Sequence, residues 1–148
     1  MIKEYPNSEI FKCVVEEIAE GKKVQLRVKG NSMLPFIREG DCIILIPCNP
    51  SSLKIGDVVL FNHNKVVHLH RLIDKKENNL VLQGDGNINT KEIVELQDVI
   101  AKLQQIICKK KGKKVNSDTY VWYVCFYVWH FLRPFRPYLL ILYRMFKK

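Results

Sequence analysis

The sequence predicts a mainly β protein: a coiled sheet or partial barrel, with a short N-terminal helix and a C-terminal helical tail that is both hydrophobic and basic. Three observations predict it. Between Lys23 and Cys108 the apolar residues fall in short alternating or continuous runs, with turn signals roughly every ten residues. Helical periodicity appears only before and after that stretch. Charge and aromatic content change abruptly where it ends. Residues 1–108 hold 14 Lys and Arg against 14 Asp and Glu, whereas residues 109–148 hold 10 Lys and Arg and only Asp118. Of the 15 aromatic residues, 11 lie between Tyr120 and Phe146.

The elements follow in order. Ser8 is positioned to cap a helix in "SEIFKCVVEEIAEG", whose Ile10, Phe11, Val14, Val15 and Ile18 share a face and which Gly21 ends. From Lys23 the period becomes two, with Val24, Leu26 and Val28 on one side of a half-buried strand. "DCIILIP" is a continuous apolar run between Gly40-Asp41 and Pro47, the pattern of a buried strand. "DVVLFN" and "VVHLHRLI" form a hairpin around Asn62–Lys65. "KKENN" turns the chain into "LVLQ", and Gly84-Asp85-Gly86-Asn87 makes a tight loop. "DVIAKLQQIICK" suits strand or helix, and the Lys-Gly-Lys turn after it favours strand. Asp118 then caps a helix over "TYVWYVCFYVWHFL", which Pro134 and Pro137 interrupt before "YLLILYRMF". The chain therefore divides into an N-terminal helix packed on the body (1–22), a β body (23–115) and a helical tail (116–148).

Composition narrows the classes. The chain of 148 residues is long enough for one domain with a real core. Its five cysteines, Cys13, Cys42, Cys48, Cys108 and Cys125, are odd in number and lack CxxC spacing, so reduced, partly buried thiols are expected. "MIKEYPNSEIFK" has no apolar core of a signal peptide.

From Tyr120 to Leu132 the tail carries no charge if His130 is neutral. At about 1.5 Å per residue that stretch spans roughly 20 Å of helix, short of the ~30 Å hydrocarbon layer. Extension to Tyr143 would bury Arg133 and Arg136, at about 2.5–3.5 kcal/mol each near the bilayer centre. An interfacial helix pair fits better, with aromatics at headgroup depth and Lys109–Lys114 against anionic lipid. Packing of the tail on the body or on a second copy is the plainer alternative. A nucleic-acid arm would be far less apolar, so no nucleic-acid partner is expected.

Two stretches carry chemistry. In "KGNSMLPFIREGD", Gly30 permits a sharp turn, Ser32 follows at a strand-to-turn junction, and Met33 and Pro35 anchor the turn. A serine held there can serve as a nucleophile if a base takes its proton and its own N–H faces a developing oxyanion. Taken alone, the stretch is only a loop with a serine. In "VVHLHRLI", His68 and His70 are two apart and share a strand face among apolar neighbours. A half-buried histidine on rigid structure meets the requirements of a general base. It can also merely bond a backbone carbonyl. As a zinc pair the two histidines lack an evident third ligand, so no metal or cofactor is expected.

The ordered series "GNSMLPFIREGD", "IGDVVLF", "HLHRLI" and "LQGDGN" resembles the boxes of the LexA and type I signal peptidase superfamily of serine peptidases, over residues 24–108. With "LRPFRPYLLILYRMF" after it, the chain is similar to small bacterial members. The resemblance implies a strongly coiled β catalytic domain over 23–115 and places Ser32 at the nucleophile of the "SMxP" box. Where most bacterial members have a lysine base, this chain has His70, as in the endoplasmic-reticulum type of signal peptidase. His70 is thus the implied base, with His68 as the fallback.

Three departures accompany it. The His-type enzymes orient the base with an Asp shortly after the Gly-Asp box, where this chain has Thr90, Lys91 and Glu92. Asp85 or Glu92 can take that place, Asp85 as an orienting carboxylate or a structural one, or the site is a dyad. Gly30 stands where bacterial signal peptidases place a serine that helps bind the oxyanion. The usual N-terminal membrane anchor is missing, which leaves the tail as anchor.

The expected function is a serine endopeptidase cleaving an extended polypeptide or leader at the membrane. Lys109–Lys114 and the reduced cysteines put the body at the cytoplasmic face of the inner membrane. The alternatives are a peptide-binding or regulatory relative with little catalysis, and a self-cleaving protein of the LexA kind.

Overall fold

A computed structural model describes residues 7–147. Helix α1 spans Asn7–Ala19, and the strands are β1 (Val24–Arg27), β2 (Cys42–Ile46), β3 (Val58–His63), β4 (Val66–Lys76), β5 (Asn79–Gln83), β6 (Glu92–Glu95), β7 (Val99–Ile107) and β8 (Lys114–Asn116). Two helices close the chain, α2 (Tyr120–Phe131) and α3 (Arg136–Phe146), with a 3₁₀ turn at Arg133–Phe135 between them. The chain is mainly β, as its patterning predicts, and its eight strands form one curled antiparallel sheet.

The sheet order is β1-β2-β7-β3-β4-β5-β6, with β8 paired to β7. Register shifts at Ile44/Leu45, Leu60/Phe61 and Leu72/Asp74 interrupt the ladders. An extra residue on one strand increases its local twist, and three such irregularities help a sheet this wide to curl. The β3–β4 turn is tighter than the sequence suggests: Asn64 and Lys65 alone make it, with φ of 51° and 63°. Two consecutive left-handed residues match the twist of the flanking strands.

The sheet buries apolar side chains on both faces. Val58 and Leu60 join Val24, Ile43, Leu45, Ala101, Leu103 and Ile106 in the larger core, which α1 covers through Val14 and Ile18. Val59 and Phe61 point the other way, to Leu53, Leu72, Leu80, Leu82 and Val94. Because β3 lies between β4 and β7 and is buried on both faces, it reads as a continuous apolar run.

Several elements differ from expectation. Helix α1 starts at Asn7, so Ser8 lies within it and not ahead of it. Thr119, not Asp118, caps α2, its hydroxyl accepting from the Trp122 N–H; Asp118 instead accepts from Lys102 Nζ at 3.0 Å. Strands β6 and β8 carry no pattern that sets them apart from loop. None of the described cysteines is in a disulfide, and Cys13 and Cys125 are exposed and not partly buried.

The last two helices pack on the body through one side. Trp122 enters the larger core, while Trp129 and Leu140 close over Leu34 with Phe36, Leu139 and Tyr143 around them. Among the described residues no helix is long and apolar enough to cross a membrane.

Candidate active site

Ser32 lies in the turn that joins β1 to β2. Gly30 adopts φ of +82°, a left-handed backbone that lets the chain reverse as it leaves β1. The Leu34 N–H then donates to the Asn31 carbonyl, and the Phe36 and Ile37 N–H groups donate to the Met33 carbonyl. Met33, Leu34 and Ile37 sink into the core, which anchors the turn and leaves Ser32 half-buried. The Leu34–Pro35 peptide is cis.

The loop after β5 grips this turn from the other side. The Gly86 N–H donates to the Ser32 carbonyl at 2.8 Å. A Cβ on Gly84 would collide with that carbonyl oxygen, and one on Gly86 would come within 2.8 Å of the Asn31 oxygen. The two glycines of "GDG" are present because backbone passes directly over backbone here.

His70 lies on β4, with Phe61 on one side at 5.8 Å between ring centroids. Its Nδ1 is 2.9 Å from Glu92 Oε2, and both side chains are buried. The pairings of β5 with β4 and β6 put Leu82 opposite both Leu72 and Glu92, so the contact reaches across β5. In a neutral ring, a carboxylate on one nitrogen holds the proton there and leaves the lone pair on Nε2. Among the described residues, neither His70 Nε2 nor Ser32 Oγ has a hydrogen-bond partner, and the two are not bonded to each other.

His68 shares that strand face, 5.5 Å from His70 and stacked on Phe61 at 5.6 Å. Burial first, then the neighbouring His70, lowers its pKa from the ordinary value, with Glu92 opposing. His68 therefore favours its neutral form. Among the described residues, no carboxylate is hydrogen-bonded to it.

On the opposite face of β4, Arg71 is fully buried and organises the surrounding loops. Its Nε and Nη2 donate to Asp85 at 2.8 and 2.7 Å, and its Nη1 donates to the Gly56 carbonyl at 2.9 Å. The guanidinium lies 4.8 Å from the Phe36 ring, 4.7 Å from Trp122 and 5.1 Å from Phe126. Asp85 is thus engaged by Arg71 and makes no bond to His70. The carboxylate on the histidine is that of Glu92, because the chain after Asp85 turns back as β6 and brings position 92 beside β5. Thr90 and Lys91 are exposed.

The other Gly-Asp pairs behave like this one. Asp41 accepts from the Arg38 and Lys109 N–H groups, and Asp57 accepts from the Lys54 N–H and from the Tyr123 hydroxyl at 2.6 Å. Burial, followed by the bond to Asp57, raises the Tyr123 pKa far above the usual phenol value, so Tyr123 is the donor. Each Gly-Asp carboxylate is a buried loop anchor. From the tail, the Trp129 Nε1–H donates to the Asp85 carbonyl at 2.9 Å, an anchor with no local signal in the sequence.

Among the described residues, no three His, Cys, Asp or Glu side chains are grouped to hold a metal ion. No curated protein matches the chain. The family described as Peptidase S24-like matches residues 4–117, which takes in α1, the whole sheet and every residue of the site, and ends just before α2.

Proposed function

Because the chain belongs to the Peptidase S24-like family, and so carries a serine-peptidase fold of the LexA and signal peptidase type, we propose that it is a serine endopeptidase with Ser32 as nucleophile, His70 as general base and Glu92 as the residue that positions the base. The observation that carries this reading is the buried 2.9 Å contact between His70 and Glu92. A histidine that merely filled a core would not need a buried carboxylate on one nitrogen and a free lone pair on the other.

In the reaction, Ser32 Oγ bonds to the scissile carbonyl carbon as its proton passes to His70 Nε2. Glu92 stabilises the imidazolium through Nδ1–H. The carbonyl electrons move onto oxygen, which the Ser32 N–H and the adjacent Met33 N–H are free to receive, since neither has a protein acceptor among the described residues. Collapse breaks the C–N bond, and the amine leaves with the proton from His70. Water, deprotonated by the same imidazole, then releases the acyl group and restores Ser32. The hydrogen bond from Ser32 to His70 closes when substrate orders the hydroxyl, as catalytic contacts do in the bound state.

The substrate is an extended polypeptide. Strand β1 lies at the end of the sheet order and its chain runs on into Ser32, so a peptide added beside β1 is led toward the nucleophile. A leader or other peptide at the cytoplasmic face of a membrane fits the basic, apolar tail.

A fluorophosphonate probe tests the assignment. Labelling mapped to Ser32 in the folded protein and lost in Ser32→Ala and His70→Ala is the expected result. Labelling that persists in Ser32→Ala, or never appears in folded wild type, would overturn it. The missing Ser32–His70 bond favours a second reading, a peptide-binding or regulatory relative with little turnover, and absent labelling would select it. Self-cleavage in the LexA manner would show as a shortened mass after incubation at mildly alkaline pH.

A further inference from the structure

Helix α2 has no Lys, Arg, Asp or Glu anywhere along its length, yet only one side of it is covered. Trp122, Phe126 and Trp129 are buried at i, i+4 and i+7. Around the rest of the cylinder Tyr120, Val121, Val124, Tyr127, Val128 and Phe131 are exposed, Tyr120 and Phe131 by more than four fifths. A helix that is apolar all round is stable in water only when it is buried all round.

Helix α3 repeats the arrangement. It buries Leu140, and the opposite stripe of Tyr138, Ile141, Leu142 and Met145 is exposed at the spacing of one helix face. Exposed apolar stripes on two successive helices mark a contact with something else.

Charge identifies what covers it. The formal charge of +9 lies wholly in residues 109–148. Lys109, Lys110, Lys111 and Lys113 are exposed on the β7–β8 turn and Lys114 at the start of β8, and Arg144 and Lys147 are exposed on and after α3. The one acid within residues 109–148, Asp118, is paired with Lys102. An apolar tail flanked in sequence by cations, with Asp118 its one acid, would repel a second copy of itself electrostatically, but it complements a lipid surface with anionic headgroups.

We propose that α2 and α3 lie on an anionic bilayer surface, with their exposed faces at the headgroup–acyl boundary and Lys109–Lys114 against the phosphates. Neither helix reaches across; both insert sideways. The opposite side of α2 holds the loops of the site, with Trp129 on Asp85, Tyr123 on Asp57, and Trp122 and Phe126 on Arg71. The membrane-bound face and the Ser32 loop system are therefore the two sides of one helix. The docking surface does not depend on Ser32 being catalytic.

Co-sedimentation of the full chain with vesicles tests this, using phosphatidylcholine alone and phosphatidylcholine mixed with phosphatidylglycerol. Stronger partitioning into the anionic vesicles, weakened by salt, is expected. Replacing Lys110, Lys111 and Lys113 by Gln lowers partitioning into the anionic vesicles by on the order of a hundredfold and leaves weak binding to the neutral ones unchanged. Replacing Phe131 and Ile141 by Ser lowers partitioning into both by about tenfold or more. These five side chains are exposed, so folding is retained, and circular dichroism verifies it. Equal partitioning into both vesicle types, no partitioning at all, or a dimer by light scattering that Phe131→Ser dissociates would each overturn the proposal.

Discussion

His70 Nδ1 and Glu92 Oε2 lie 2.9 Å apart and buried, 22 positions apart in sequence and on strands that flank β5. In the proposed mechanism Glu92 holds the imidazole with Nε2 free. Glu92→Gln keeps the size and removes the charge. Its acylation rate falls by up to about 10⁴, the cost of a mis-set histidine tautomer, while the thermal midpoint changes little. Rate and melting curves measured on the same preparation check it.

Asp85 behaves in the opposite way. Asp85→Asn leaves the fully buried Arg71 without its counter-charge, and destabilises the fold by roughly 3–5 kcal/mol. Denaturant titration reads this directly. Loss of stability in Asp85→Asn with none in Glu92→Gln separates the loop anchor from the positioning residue.

Gly84→Ala sets a methyl group against the Ser32 carbonyl. The turn must move, and displacement of a nucleophile by about 1 Å costs on the order of a hundredfold in rate. Probe labelling of Ser32 should slow by that factor while the far sheet edge at β5–β6 keeps its amide protection in hydrogen exchange.

Trp129→Phe removes one hydrogen bond and little volume. Stability falls by about 1 kcal/mol. The Gly84–Asn87 amides exchange faster than in wild type, because the Asp85 carbonyl has lost its donor from α2. Unchanged exchange there would show that α2 does not steady the loop.

Acid should destabilise the protein through its neutral histidines. His68 and His130 both have pKa values lowered from 6.5, in each case by burial first, then by the neighbouring His70 and Arg136 respectively. The unfolded chain therefore binds these protons before the folded chain does. Stability is complete above the unfolded value of about 6.5 and falls as pH drops from there through the lower folded values. A smaller drop of the thermal midpoint below pH ~6.5 in His68→Gln and His130→Gln measures their share.

The strands were legible where the pattern reports burial directly. Alternation in β1, the continuous runs of β2 and β3, and the turn residues between β3, β4 and β5 all translate without long-range information. Strand β6 shows the limit. In "EIVE" two apolar residues are adjacent, and only one can face inward. Val94 is buried at 3% exposure and Ile93 is exposed at 60%, which carries Glu92 inward as well. A register one residue different would bury Ile93 and turn Glu92 to solvent.

The sequence by itself determined the fold class, the ordered boxes that mark Ser32 and His70, and the separation of a neutral body from a basic, aromatic tail. Those features are local: period, turn chemistry and charge along the chain. Tertiary structure alone decided which carboxylate meets the histidine. Asp85 and Glu92 are seven residues apart and chemically alike, and only the folding back of β6 along β5 gives one to Arg71 and the other to His70. It also decided which side of the tail is buried. A helix apolar on every side carries no moment to orient it, so its facing is set by the rings that fit around Arg71.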